Sequence, residues 1–176
     1  AKTAPILTWA ASCFLKEHLR LGGIKFPHLF LIGEAGSGKS TTMERILLPI
    51  FCRNKINAAS QVTAFTLMKE AASSNLVPLA LDEFKPSKLD RNRLAVLYNH
   101  FRDSYDGHAG VRGRADQSMV AYDLAAPLIV AGEESPDEAA IRERSMELLF
   151  SKKDLQSAER RIAFNRLYGS DAALGR

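Results

Sequence analysis

The sequence predicts an α/β domain built on a mostly parallel five-stranded sheet with helices on both faces. Three observations predict it. Apolar runs of strand length alternate along the 176 residues with stretches at helical spacing. The first apolar run, residues 28–32, leads directly into a glycine-rich segment and then a helix. A later run, residues 77–81, ends in two adjacent acids, Asp82 and Glu83.

The elements follow in order. Pro5 opens a helical stretch in which Ile6, Ala10, Phe14 and Leu21 recur near helical spacing, and Gly22-Gly23 closes it. After the glycine-rich segment, Met43, Ile46 and Leu47 share one helix face, and Pro49 disturbs the end. A helix over 63–73 is expected to turn Phe65, Met68 and Ala72 inward. Ser87 and Asp90 supply a Ser-x-x-Asp start for a helix through Tyr105, with Leu94, Leu97 and Phe101 on one side. Gly107, Gly110 and Gly113 mark a turn-rich segment, and residues 119–124 read as the second arm of a hairpin. Residues 127–131 are a fully apolar strand. Ser135-Pro136-Asp137-Glu138 predicts a helix start, with the helix ending near Arg144. Residues 146–150 form the last strand, and 151–167 a terminal helix.

The composition sets limits. Hydrophobic residues make up 46% and charged residues 25%, an ordinary globular balance. One domain over 1–176 accommodates this length: an N-terminal helix in 1–25, a core in 26–150, and a C-terminal helix in 151–176 that reads as the start of a truncated lid. No apolar run approaches the roughly 20 residues of a membrane span. Cys13 and Cys52 are too few for a disulfide scaffold, and the four histidines show no metal-ligand spacing, so a reducing cytoplasm and no zinc site are expected. With neither an initiator Met nor a signal peptide, the chain reads as a piece of a longer protein. Between Lys85 and Arg114 stand seven Lys/Arg against three Asp, a surplus equal to the net charge of +4 of the whole chain. Such a concentration attracts polyanions.

Residues 33–40, Gly33-Glu34-Ala35-Gly36-Ser37-Gly38-Lys39-Ser40, match G-x-x-x-x-G-K-[ST] in full. Glycines let successive backbone N–H groups turn inward around a phosphate, and the helix start at Ser40-Thr41 adds its positive dipole end. Lys39 is expected to reach the β- and γ-phosphates of ATP, and Ser40 to offer its hydroxyl to Mg²⁺. Some 43 residues after Lys39, the apolar run ending in Asp82-Glu83 supplies the complementary element. Asp82 is read as part of the Mg²⁺ shell and Glu83 as the base that polarises the attacking water.

These motifs, with Arg112-Gly113-Arg114-Ala115-Asp116 and the following Ala126-Pro127-Leu128-Ile129-Val130-Ala131-Gly132-Glu133, make the chain resemble the additional-strand catalytic-glutamate ATPases. The branch is AAA+ and superfamily III helicases, and within it the ATPase portion of phage- and mobile-element-type primase–helicases, over roughly residues 26–150. The resemblance implies a RecA/AAA+-like P-loop domain with a basic, hairpin-containing insert before the fourth core strand. It implies a sensor at Glu133 or Glu134, although the family usually places Asn, Thr or Ser there. A carboxylate at that point repels a γ-phosphate unless it binds water or pairs with a base. It implies a trans-acting arginine finger, Arg144 or else Arg142. It implies that Arg112, Arg114, Lys85 and Lys88 contact nucleic acid; Tyr98 and Tyr105 offer rings for base stacking, but their helical spacing points to core or helix surface. The expected function is that of a DNA replication motor working as a ring, a hexamer, on single-stranded or forked DNA. Two other readings stay open: an ATP-dependent switch or loader that binds a protein, and a small-molecule P-loop kinase.

Overall fold

The computed structural model describes residues 2–113 and 118–157, together with Glu159, Ile162 and Arg166. Its centre is a five-stranded, wholly parallel sheet in the order β2-β3-β6-β1-β7: β1 His28–Gly33, β2 Asn57–Ala58, β3 Leu79–Phe84, β6 Leu128–Gly132 and β7 Ser145–Phe150. Parallel neighbours require crossovers, and helices supply them. The helices are α1 Thr3–Cys13, α2 Lys16–Leu21, α3 Lys39–Thr42, α4 Leu48–Ile50, α5 Ala64–Ala71, α6 Arg91–Asp106 and α7 Ala139–Arg142. A separate antiparallel hairpin, β4 Ala109–Gly113 and β5 Met119–Asp123, stands between α6 and β6, as the sequence implies.

The sheet is apolar on both faces, as a helix-covered parallel sheet must be. Alternate residues of each strand feed two cores. Phe30, Leu81 and Val130 pack with Leu67, Leu97, Phe101 and Ile141. Leu29, Leu31, Ala80, Ile129 and Ala131 pack with Trp9, Met43, Leu47 and Leu48. Between α3 and α4 the helix widens over Met43–Leu47 into i→i+5 geometry just before Pro49, which cannot donate a backbone hydrogen bond.

Several local expectations are corrected. The N-terminal helix breaks after Cys13, and Phe14 and Leu21 lie exposed outside its buried stripe. Helix α5 buries Leu67 and Ala71 instead of Phe65 and Ala72; Met68 is only partly buried. Helix α6 is capped by Asp90, whose carboxylate accepts from the Arg93 N–H, while Ser87 bonds elsewhere. The last short helix starts at Ala139: Ser135 donates to Glu147 instead of capping it. Residues 152–155 form a 3₁₀ turn capped by Ser151; most of the expected terminal helix lies outside the described residues, and of those described there Glu159, Ile162 and Arg166 are helical. The two-residue strand β2 is too short to carry a periodic signal, so the sequence does not reveal it. Among the described residues, no helix is long and apolar enough to cross a membrane.

Two glycines fix the spacing of strand ends. A Cβ on Gly132 would stand 2.2 Å from the Phe84 carbonyl oxygen, and one on Gly33 would stand 2.1 Å from that of Phe150. Both obstacles are backbone atoms, which have little room to move. Gly132→Ala is expected to destabilise the fold by about 2 kcal/mol, read as a lowered urea midpoint; an unchanged midpoint would contradict this packing.

Two buried histidines make stability depend on pH. His28 bonds through Nε2 to the Phe101 carbonyl, and burial lowers the pKa of His28 and of His100 to about 4 each. Their unfolded value lies near 6.5, so the unfolded chain binds more protons between those limits. Stability is therefore full above pH 6.5 and falls as pH drops toward 4, by up to about 3 kcal/mol per histidine. Denaturant unfolding across this range is expected to show the loss, and His100→Gln to remove about half of the slope.

Candidate nucleotide-binding site

The glycine-rich segment leaves β1 at Gly33 and returns as α3 at Lys39. Gly36 (φ 73°) and Gly38 (φ 91°) take left-handed backbone conformations that a side chain would strain. The Ser37 N–H donates to the Glu34 carbonyl at 3.2 Å, and Thr42 donates through both N–H and Oγ1 to the Gly38 carbonyl. The segment is thus a closed turn running into a helix. Ser37 and Lys39 are buried beneath it, while Glu34, Ala35 and Gly36 form its exposed rim and Ser40 and Thr41 are half-buried.

Lys39 Nζ donates to the carbonyl oxygens of Gly33 at 2.7 Å and Glu34 at 2.9 Å, both within its own turn. Burial pulls its ammonium below the usual lysine range, while Asp82, Glu133 and Glu34 act in the opposite direction. The side chain of Glu34 does not face the turn's interior. Its Oε1 accepts from the Lys152 N–H at 2.8 Å and from Ser151 Oγ at 3.4 Å. The Lys152 side chain lies against Gly36, with Cε 3.5 Å from where a Cβ would be. Sequence spacing gives no hint that residues 151–152 support the turn. Parallel pairing of Gly33 with Phe150 brings them there.

Asp82 and Glu83 lie within β3, which runs past them to Phe84. The strand is bulged here. Leu81 pairs with Val130 and Phe84 with Gly132, so β3 spends one residue more than β6 between these pairs. Glu83 sits at φ 59°, a conformation that costs a non-glycine residue on the order of 1 kcal/mol. The bulge breaks the strict alternation of the strand, leaving Asp82 half-buried and Glu83 exposed. The Glu83 N–H donates to Asp82 Oδ1 at 2.7 Å, which fixes that carboxylate.

The donor set fits Mg²⁺. Ser40 and Asp82 provide a hydroxyl and a carboxylate, and this ion ordinarily takes one or two protein oxygens and fills its octahedron with phosphates and water. Among the described residues, no group of three His, Cys, Asp or Glu could hold a metal by itself.

Glu133 and Glu134 follow β6. Glu133 Oε2 accepts from Lys85 Nζ at 2.6 Å. Glu134 accepts from Ser87, through its N–H at 3.1 Å and its Oγ at 2.6 Å. The carboxylate expected to repel a phosphate is therefore paired with a base. Lys85 stands at the strand ends beside the turn, on the Phe84–Pro86 corner, and not on the hairpin. Lys88 lies exposed at the end of the following 3₁₀ turn.

The remaining candidates lie elsewhere. Arg144 precedes β7, whose first residue pairs with His28, so it sits at the opposite end of the sheet. Its guanidinium donates to the Ala140 carbonyl at 2.8 Å, reaches Asp106 at 3.5 Å and lies 5.4 Å from the centre of the Tyr105 ring. Arg142 is exposed on α7. Arg112, exposed on β4, lies over the Phe65 ring at 3.8 Å, and Phe65 meets Tyr122 edge-on. Arg114 falls outside the described residues. Tyr98 is core, 2% exposed, with its hydroxyl donating to Asp137, and Tyr105 packs against His28.

No family model and no curated protein matches the chain. Solved structures do. The Thermotoga maritima RuvB Holliday junction branch migration motor is 16% identical, with a TM-score of 0.43 over 84% of this chain and 44% of that one. A point mutant of RuvB gives 17%, 0.44, 85% and 46%. JCV helicase is 17% identical, with a TM-score of 0.46 over 90% of this chain and 45% of that one. The chain spans less than half the length of each.

Proposed function

We propose that the chain is the ATP-hydrolysing motor domain of a DNA replication helicase or primase–helicase, acting as a ring. One observation carries this reading: the closed turn around Lys39 follows β1, and the bulged Asp82-Glu83 pair lies just before the last residue of β3, at the same end of the sheet. Two inter-strand spacings, about 10 Å, separate β1 from β3, a distance that a triphosphate bridges.

The residues divide the work. The amides of residues 35–41 and the Lys39 ammonium hold the β- and γ-phosphates, and Lys39 exchanges its two carbonyl partners for phosphate oxygens. Ser40 and the free oxygen of Asp82 hold Mg²⁺, which when bound neutralises phosphate charge. Glu83 orients a water and accepts its proton. Arg142 is better placed than Arg144 to act on a neighbouring subunit, because it is exposed and Arg144 is engaged within its own chain. The hairpin, with Arg112 backed by Phe65, is the proposed contact to the DNA backbone.

Lys39→Ala is expected to abolish nucleotide binding with an unchanged circular dichroism spectrum. Glu83→Gln should keep binding and lose turnover by roughly 10²–10⁴-fold. Retained turnover in Lys39→Ala would remove the basis of the proposal.

Hydrolysis measured with and without single-stranded DNA over a protein concentration series tests the motor itself. Stimulation by DNA with a steep concentration dependence is expected, weakened in Arg112→Ala and more so at high salt. Slow hydrolysis indifferent to DNA would favour a switch or loader. Mixing Arg142→Ala with Glu83→Gln subunits should partly restore turnover at shared interfaces, whereas inactivity at every mixing ratio would count against a trans finger.

A further inference from the structure

The Lys85–Glu133 pair joins the C-terminal ends of β3 and β6, the strand that lies between β3 and the β1 strand leading to the Lys39 turn. The scaffold under it is rigid. Phe84 is fully buried, Pro86 is buried, and the Glu133 N–H donates to the Phe84 carbonyl at 3.1 Å. Gly132 lies directly beneath that same carbonyl. Ser87, two residues after Lys85, is tied to Glu134 by two hydrogen bonds. Both residues of the pair are therefore carried on backbone that cannot drift, while their side chains remain about one-third to two-fifths exposed. Glu133 lies close enough to Lys39 for the two to influence each other's charge state. The carboxylate is thus hydrogen-bonded to the Lys85 ammonium and within electrostatic reach of the Lys39 ammonium.

We infer that Lys85 is a γ-phosphate ligand, held in reserve by Glu133, and that this pair lets the site distinguish a nucleoside triphosphate from a diphosphate. The inference rests on the nucleotide reading of the Lys39 turn. A dianionic phosphate terminus arriving beside Glu133 competes with the carboxylate for the Lys85 ammonium. Charge-assisted hydrogen bonds to phosphate form readily from a lysine that needs only a rotamer change. A diphosphate ends short of this position and leaves the pair intact. Glu133 then does the work of a polar sensor indirectly: it keeps the lysine positioned at the strand ends and releases it only to a third phosphate.

The test is equilibrium binding of ADP and of ATPγS, each with Mg²⁺, to the full chain and its variants, followed by calorimetry. Lys85→Met is expected to weaken ATPγS binding roughly tenfold or more while leaving ADP binding and the melting temperature unchanged. Lys85→Arg should recover part of the preference. Glu133→Gln, which removes the competitor, should tighten ATPγS binding and not ADP binding. Equal losses for both nucleotides in Lys85→Met, or no loss for either, would overturn the assignment. So would a Lys85→Met chain that keeps its preference for ATPγS and instead loses affinity for single-stranded DNA. A parent chain that binds neither nucleotide overturns the nucleotide reading itself, a result distinct from any of these.

Discussion

The register of three strands sets everything else. Ile32 of β1 and Phe84 of β3 both pair with Gly132 of β6, from opposite sides. A parallel sheet holds register tightly when both faces are buried, because a one-residue slip would exchange the two cores. That single alignment puts Gly33, Lys85 and Glu133, the residues that follow the aligned three, at one level, with Glu83 just behind it. It also explains why Gly132 has no side chain: the bulge that reorients Asp82 and Glu83 pushes the Phe84 carbonyl to where a Cβ would stand. The chemistry proposed at this end of the sheet is a consequence of that alignment more than of any one residue type.

The distribution of charge along these strand ends has its own logic. Four carboxylates at these strand ends have designated partners: Glu34 the Lys152 amide, Asp82 the Glu83 amide, Glu133 the Lys85 ammonium, Glu134 Ser87. Acids that would otherwise repel a phosphate are thereby occupied. Lys39 is likewise satisfied by two backbone carbonyls, so a buried ammonium is not left unpaired. The site is stable in itself, and a ligand that enters exchanges partners instead of filling an unsatisfied hole.

Much of this was legible in the sequence. The four long core strands, the turn at 33–40, the acids after 77–81 and the hairpin are encoded locally, by apolar runs and glycine placement. What stayed hidden depends on long-range pairing. The two-residue β2 exists only because β3 is beside it. Lys85, counted by charge with the basic stretch 85–114, meets Glu133 across 48 positions. Ser135 has every property of a helix cap, yet Glu147 of β7 takes its hydroxyl. Arg144 and Arg142 are alike in sequence, and only the fold separates a guanidinium pinned against Asp106 from one in solvent. The buried face of helix α5 is shifted from the expected one, because Phe65 faces the hairpin, where Tyr122 and Arg112 meet it, and not the core.

The most direct measurement is a crystal structure of the chain grown with ATPγS and Mg²⁺. The expected result has the phosphates enclosed by residues 35–41, Lys39 Nζ moved from the Gly33 and Glu34 carbonyls onto phosphate oxygens, and the ion held between Ser40 and Asp82. Nucleotide bound anywhere else, or Lys39 still on its two carbonyls with the turn unchanged, would contradict it.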